Sequence, residues 1–165
     1  MNFRDTIGFG KESAATGAVS AAKSLMAYTK QIVTQLLTGV GAEQIASTTE
    51  DLNQAASTYD LLTGTTQPVI LESLSFKMPT VDISGGALTY ITIQTDDVTV
   101  QTIFNAADGV KANLTSEAEL SWTGCVRVNV GTKLTLTIAG GAAGTACAAT
   151  ITAQYRAVVA GGTLA

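Results

Sequence analysis

From Pro68 onward the apolar residues fall on alternate positions, and this period of two is the strongest constraint the chain carries. "VILESLSFKMP" puts Ile70, Leu74, Phe76 and Met78 on one face, and "ALTYITIQT" is dense in β-branched residues. "DVTVQTIF" alternates through Val98, Val100 and Phe104. "ELSWTGCVRVNV" places Leu120, Trp122, Val126, Val128 and Val130 together, and "KLTLTIAG" does the same with Leu134, Leu136 and Ile138. "CAATITAQYRAVV" closes the series with Ile151 and Tyr155. Successive side chains of a strand point to opposite faces, so this alternation reads as half-buried strand. Turn chemistry separates the runs: "SGG" at 84–86, "ADG" at 107–109, "VG" at 130–131 and "AGGAAG" at 139–144. Short strands with Gly turns and no helical interruption predict an antiparallel β-sandwich, jelly-roll-like, over residues 67–165.

Residues 1–66 follow a different period. Ala15, Val19, Ala22, Met26, Thr29, Val33, Leu36 and Val40 are spaced four and three apart, one stripe of a helix over about 12–38. Gly39 and Gly41 end it. "STTEDL" then reads as a helix start, with Ser47 as N-cap and Glu50 as its reciprocal partner. Leu52, Ala55, Tyr59 and Leu62 repeat the helical spacing over about 48–63, before Gly64 and Pro68 stop it. The expected organisation is therefore an N-terminal helical arm, 1–66, followed by the β-domain, 67–165. Both stripes are heptad-like. They fit packing on the chain's own β-domain, and they equally fit docking on copies of the chain or on a larger surface.

The chemistry such a scaffold offers is sparse. No histidine is present, which removes Ser-His-acid and Cys-His catalysis and every His-containing metal site. Glu117 and Glu119, two apart, read as solvated charges on one strand face rather than a glycosidase pair. Asp96, Asp97 and Asp108 read as turn residues, with a cation site as the alternative. "GFGKES" at 8–13 lacks the spacing of a phosphate loop. The two thiols, Cys125 and Cys147, are too few ligands for zinc and are expected to be free. No catalytic residue, metal or cofactor is expected. Charged residues are 13% of the chain, against about a quarter in ordinary proteins, and the net charge is −4. There is no basic patch for nucleic acid. The apolar stretch from Ala14 to Val40 is interrupted by Lys23 and Lys30, so neither a membrane span nor a secretory signal is expected. A weakly charged surface of Thr, Ser, Asn, Gln and Ala tolerates close contact with copies of itself.

The amphipathic arm leads into "STTEDLNQAASTYDLLTGTTQPVILESLSFKMP" and then a Thr/Gly/Ala β-domain ending "VGTKLTLTIAGGAAGTACAATITAQYRAV". This layout, over about 45–165, resembles the capsid decoration proteins (cement or head-fibre type) of tailed bacteriophages. The resemblance implies a β-sandwich body, usually trimeric, on the outside of the major capsid protein's shell, without catalysis or cofactor. It implies a virion location after synthesis in the host cytoplasm. Val19, Met26, Val33 and Leu36 are then the expected arm contacts with the shell, and Leu52, Tyr59 and Leu62 the expected trimer seam. The alternatives are a receptor- or carbohydrate-binding fibre module, for which Tyr90, Trp122 and Tyr155 are the aromatic candidates, a tail or neck component, and a pilin-like subunit.

Overall fold

A computed structural model describes residues 41–165 and, within a helix, Met26, Ala27, Thr29 and Lys30. The rest of the expected helix over 12–38 lies outside the described residues. The chain divides into two compact units, Met1–Thr38 and Gly39–Ala165.

The second unit is built from nine strands: β1 (Glu43–Asp51), β2 (Ser57–Thr65), β3 (Val69–Lys77), β4 (Tyr90–Thr95), β5 (Thr102–Phe104), β6 (Glu119–Val128), β7 (Lys133–Ala139), β8 (Ala148–Ala157) and β9 (Thr163–Leu164). Among the described residues of this unit the one other regular element is a 3-10 turn at Lys111–Asn113. All described pairings are antiparallel. One sheet runs β1-β8-β3-β6 and the other β5-β4-β7-β2-β9. The pairs nest: β1 with β8, β2 with β7, β3 with β6, β4 with β5. The chain is thus one long hairpin doubled at the β4–β5 turn and then rolled, with β3–β8 and β4–β7 as the contacts that close the roll. These strand orders make a double-sheet jelly roll.

The alternation from Pro68 onward produces this core. Val69, Leu71, Leu74 and Phe76 of β3 are buried against Ile91 and Ile93 of β4, Leu134, Leu136 and Ile138 of β7, and Ile151 and Ala153 of β8. Ile70 is only half-buried, because the ladder slips between Leu71 and Ser73 and the inward face changes parity there. The expected strand through Val98 and Val100 shrinks to Thr102–Phe104. Residues 96–101 form a loop that folds back instead: Thr95 N–H donates to the Gln101 carbonyl at 3.0 Å, and Gln101 N–H to Thr95 Oγ1 at 2.9 Å.

The expected helix over 48–63 is overturned, since β1 and β2 occupy this stretch. The sandwich therefore includes residues 43–65, which lie within the arm expected over 1–66. Ser47 caps nothing: its Oγ donates to the Ile151 carbonyl of β8 at 3.2 Å. Glu50 accepts from the Gln54 side chain, and Asp51 Oδ1 accepts the N–H of Asn53 at 2.9 Å and of Cys147 at 2.8 Å. β1 is an edge strand whose half-buried positions include Gln44, Thr48 and Glu50. Its period of two is therefore not written in apolar residues. In β2 the ladder slips between Asp60 and Leu62, so Leu61 and Leu62 are both buried, and adjacent leucines imitate helical spacing.

Phe76 is fully buried at the centre of this core. Phe76→Ala is expected to lower unfolding stability by about 3–5 kcal/mol, read as a shifted denaturation midpoint at unchanged slope.

Candidate docking surface

Nested pairing sends the start of β1 and the end of β8 to one end of the sandwich. At that end, residues 1–40 join the body at Gly41, whose N–H donates to the Ala157 carbonyl at 3.3 Å. Arg156 fastens the junction. Its Nη1 donates to the Gly41 carbonyl at 2.7 Å, its Nε grips both oxygens of Glu72 at 2.8 and 2.9 Å, and its Nη2 lies 3.6 Å from Glu43.

The same end carries an unusual set of side chains. Val98 is fully exposed, and Val100, Val130, Val158 and Val159 are 49%, 55%, 43% and 49% exposed. They sit on three connections: β4–β5, β6–β7 and β8–β9. Loops normally carry polar residues at such positions, and grouped apolar exposure marks contact surfaces. The connections are tied to one another. Asn129 Nδ2 donates to Asp97 Oδ2 at 3.0 Å, linking the loops of Val130 and Val98. Gly131 N–H donates to the Gly64 carbonyl at 2.8 Å, and Gly64 N–H to the Thr132 carbonyl at 2.9 Å. This approach requires glycine at 64, because a Cβ there would fall 2.3 Å from the Asn129 carbonyl oxygen. Val158 N–H donates to the Pro68 carbonyl at 3.1 Å. Thr66, in the β2–β3 connection at this end, has a φ of 62°, a costly conformation for a β-branched residue.

The sequence placed Val98, Val100 and Val130 in core-facing strand positions, and that reading missed this surface. A signal was present for Val130, which lies between Asn129 and Gly131 in a turn.

The expected site residues separate. Met26 is helical and 72% exposed, while Val19, Val33 and Leu36 lie outside the described residues. Leu52 and Leu62 are buried inside the sandwich, and Tyr59 is half-buried with its hydroxyl donating to the Ala55 carbonyl at 2.7 Å. They form no helical stripe, since β2 and the loop before it orient them differently. Tyr155 is buried, with its hydroxyl donating to Gln44 at 3.3 Å, and Tyr90 is 37% exposed.

Glu117 and Glu119 do not share a strand face: Glu117 is in a turn at φ 60° and accepts from Thr80, whereas Glu119 in β6 accepts from Ser75. Among the described residues no three His, Cys, Asp or Glu side chains gather as a metal site, and no helix is long and apolar enough to cross a membrane. Both cysteines are free thiols. Cys125 is exposed, while Cys147 is buried beside Asp51, and burial first, then that charge, raises its pKa.

No family model and no curated protein sequence matches the chain. Solved structures do resemble it. A chain of the cyanophage Pam1 capsid asymmetric unit is 16% identical, with a TM-score of 0.50, covering 70% of this chain and 85% of that one. A chain of the acid-stable capsid of Helicobacter pylori bacteriophage KHP30 is 10% identical, with a TM-score of 0.48, covering 74% and 92%. The infectious bursal disease virus VP2 subviral particle gives 10%, 0.40, 76% and 40%. At 16% identity the likeness to the Pam1 chain is one of fold.

Arg156→Ala is expected to speed hydrogen exchange at Gly41–Ile45 while costing the body about 1 kcal/mol or less, because its ion pairs are half-exposed. A thiol-reactive reagent at neutral pH is expected to modify Cys125 and to spare Cys147 until denaturant is added, read by mass spectrometry of the tryptic peptides.

Proposed function

We propose that this chain is a non-enzymatic structural protein of a virion, which decorates or cements the outside of a bacteriophage capsid. Residues 1–40 and the valine-bearing end of the body engage the major capsid protein, and the rest of the sandwich projects as a homotrimer. One observation carries the reading: the junction with residues 1–40 shares an end with five of the six exposed valines among the described residues, Val110 being the one at the other end. A tethered body presents the surface beside its tether to whatever the tether holds.

The jelly-roll body supports the same reading. The Pam1 capsid chain is matched over 85% of its length, so a polypeptide consisting of little more than such a body belongs to a capsid. Low charge density suits dense packing of copies on a shell. Each copy needs only modest affinity, because a bridge between two shell subunits makes its second contact intramolecular. The open edges of β1 and β6 offer backbone groups that a closed three-fold assembly covers.

The test adds purified full-length protein to heads assembled without it and follows co-sedimentation. Saturable binding is expected, with a light-scattering mass three times the 16.8 kDa of the chain. Removing residues 1–40, or the double change Val98→Asp with Val130→Asp, is expected to lower head affinity by about tenfold or more, the effect of leaving charge in an apolar contact. A full-length protein that stays in the supernatant at every concentration overturns the proposal.

A further inference from the structure

The two most exposed valines of the docking surface stand on different connections, Val98 in β4–β5 and Val130 in β6–β7. A single carboxylate is bonded into both. We propose that Asp97, with Asn129 as its partner, is the positioning residue of this surface: it sets the two valine tips in one fixed relation before contact with the shell protein. The inference rests on the docking reading above and adds to it the residue that presets the face.

Strand pairing brings the two loops side by side without joining their tips. β4 and β7 are ladder neighbours, with Thr95 opposite Leu134, so the residues after β4 and before β7 leave the sheet together. The bases of the loops are tied there. Asp96 N–H donates to the Lys133 carbonyl at 3.0 Å, and Lys133 N–H returns a bond to Asp96 Oδ1 at 2.6 Å. Beyond this base the tips have few ties of their own. Among the described residues, neither Val98 nor Val130 makes a backbone–backbone hydrogen bond.

The Asp97 carboxylate supplies the tie, one oxygen to each loop. Oδ1 accepts the Val98 N–H at 2.8 Å, and Oδ2 accepts Nδ2 of Asn129, the residue before Val130, at 3.0 Å. Both side chains are half-buried. Bonds to a charged acceptor are the stronger kind, and partial removal from water strengthens them further. Ordering free loop tips on contact costs conformational entropy, and a clamp formed beforehand removes that cost. Tips held in one relation also meet the partner as a unit, so freeing one loop weakens the contact of both.

The test exchanges donor and acceptor across the clamp. Asn129→Asp sets a second carboxylate where the 3.0 Å bond stood, and like charges at that distance repel. Adding Asp97→Asn restores the bond in reverse, because the new amide keeps an oxygen for the Val98 N–H and offers its nitrogen to position 129. In co-sedimentation with heads, full-length Asn129→Asp protein is expected to bind about tenfold more weakly, and the double variant to recover to within about twofold of wild type. In free protein, Asn129→Asp is expected to speed hydrogen exchange at 97–100 and 129–132 together, with exchange in β7 unchanged, and the double variant to reverse this. Asn129→Asp protein that binds heads like wild type overturns the proposal. So does lost binding that the double variant fails to recover, or exchange that rises in one loop alone. Wild-type protein that ignores the heads overturns the docking reading instead, and the exchange measurement then decides by itself whether the clamp exists.

Discussion

Pairing between β1 and β8 spans about a hundred residues, from Ser47 to the Ile151 carbonyl, and the roll is organised around it. Once these strands are neighbours, β2 and β7, β3 and β6, and β4 and β5 follow as inner turns of the same doubled hairpin. The nesting has a geometric result. The strand that enters the body and the last long strand meet at one end, so the chain enters the sandwich beside the β8–β9 connection. The far end is left to the connections β1–β2, β3–β4, β5–β6 and β7–β8. A doubled hairpin is thereby polar, with an entry end and a free one, although no described strand is parallel to its neighbour.

The two ends are finished differently. At the free end, loops fasten to one another through backbone groups: Ala143 N–H donates to the Leu52 carbonyl at 3.0 Å, and Leu88 N–H to the Ala142 carbonyl at 3.1 Å. Ala143 is buried there, so the Gly/Ala-rich tip is packed rather than loose. At the entry end the loops are equally well tied, but valines are exposed. Rigid loops with exposed apolar tips hold little conformational freedom to be lost on contact, which favours association with a complementary face.

The sequence was legible wherever both faces of the pleat declared themselves. β7 and β8 are central strands whose inward apolar residues alternate with polar ones, and β3 keeps the same agreement from Leu74 onward, past its slip, so period and sheet agree there. It was misleading at the edges. β1 places Gln44, Thr48 and Glu50 at half-buried positions and leaves Ile45 65% exposed, so no apolar period survives to be read. Its Ser47 and Glu50 imitate a helix cap because the same small polar residues serve both roles. β2 hides its strand character behind the slip that buries Leu61 and Leu62 together. The exposed valines of the β4–β5 loop were misassigned for a related reason: a run such as "DVTV" has strand composition, yet the Thr95–Gln101 bonds close it into a loop.

Joining the first strand of the sandwich to β8 also governs how the protein is made. A ribosome delivers the chain from its N-terminus, and β1 has no partner in its sheet until residues near 157 have emerged. Until then β3 lacks one of its two ladder partners, and its sheet cannot close. Contacts of such long sequence range place this fold among the slower ones to form. Synthesis therefore passes through a stage in which the nascent body is vulnerable to wrong partners, neighbouring nascent copies among them.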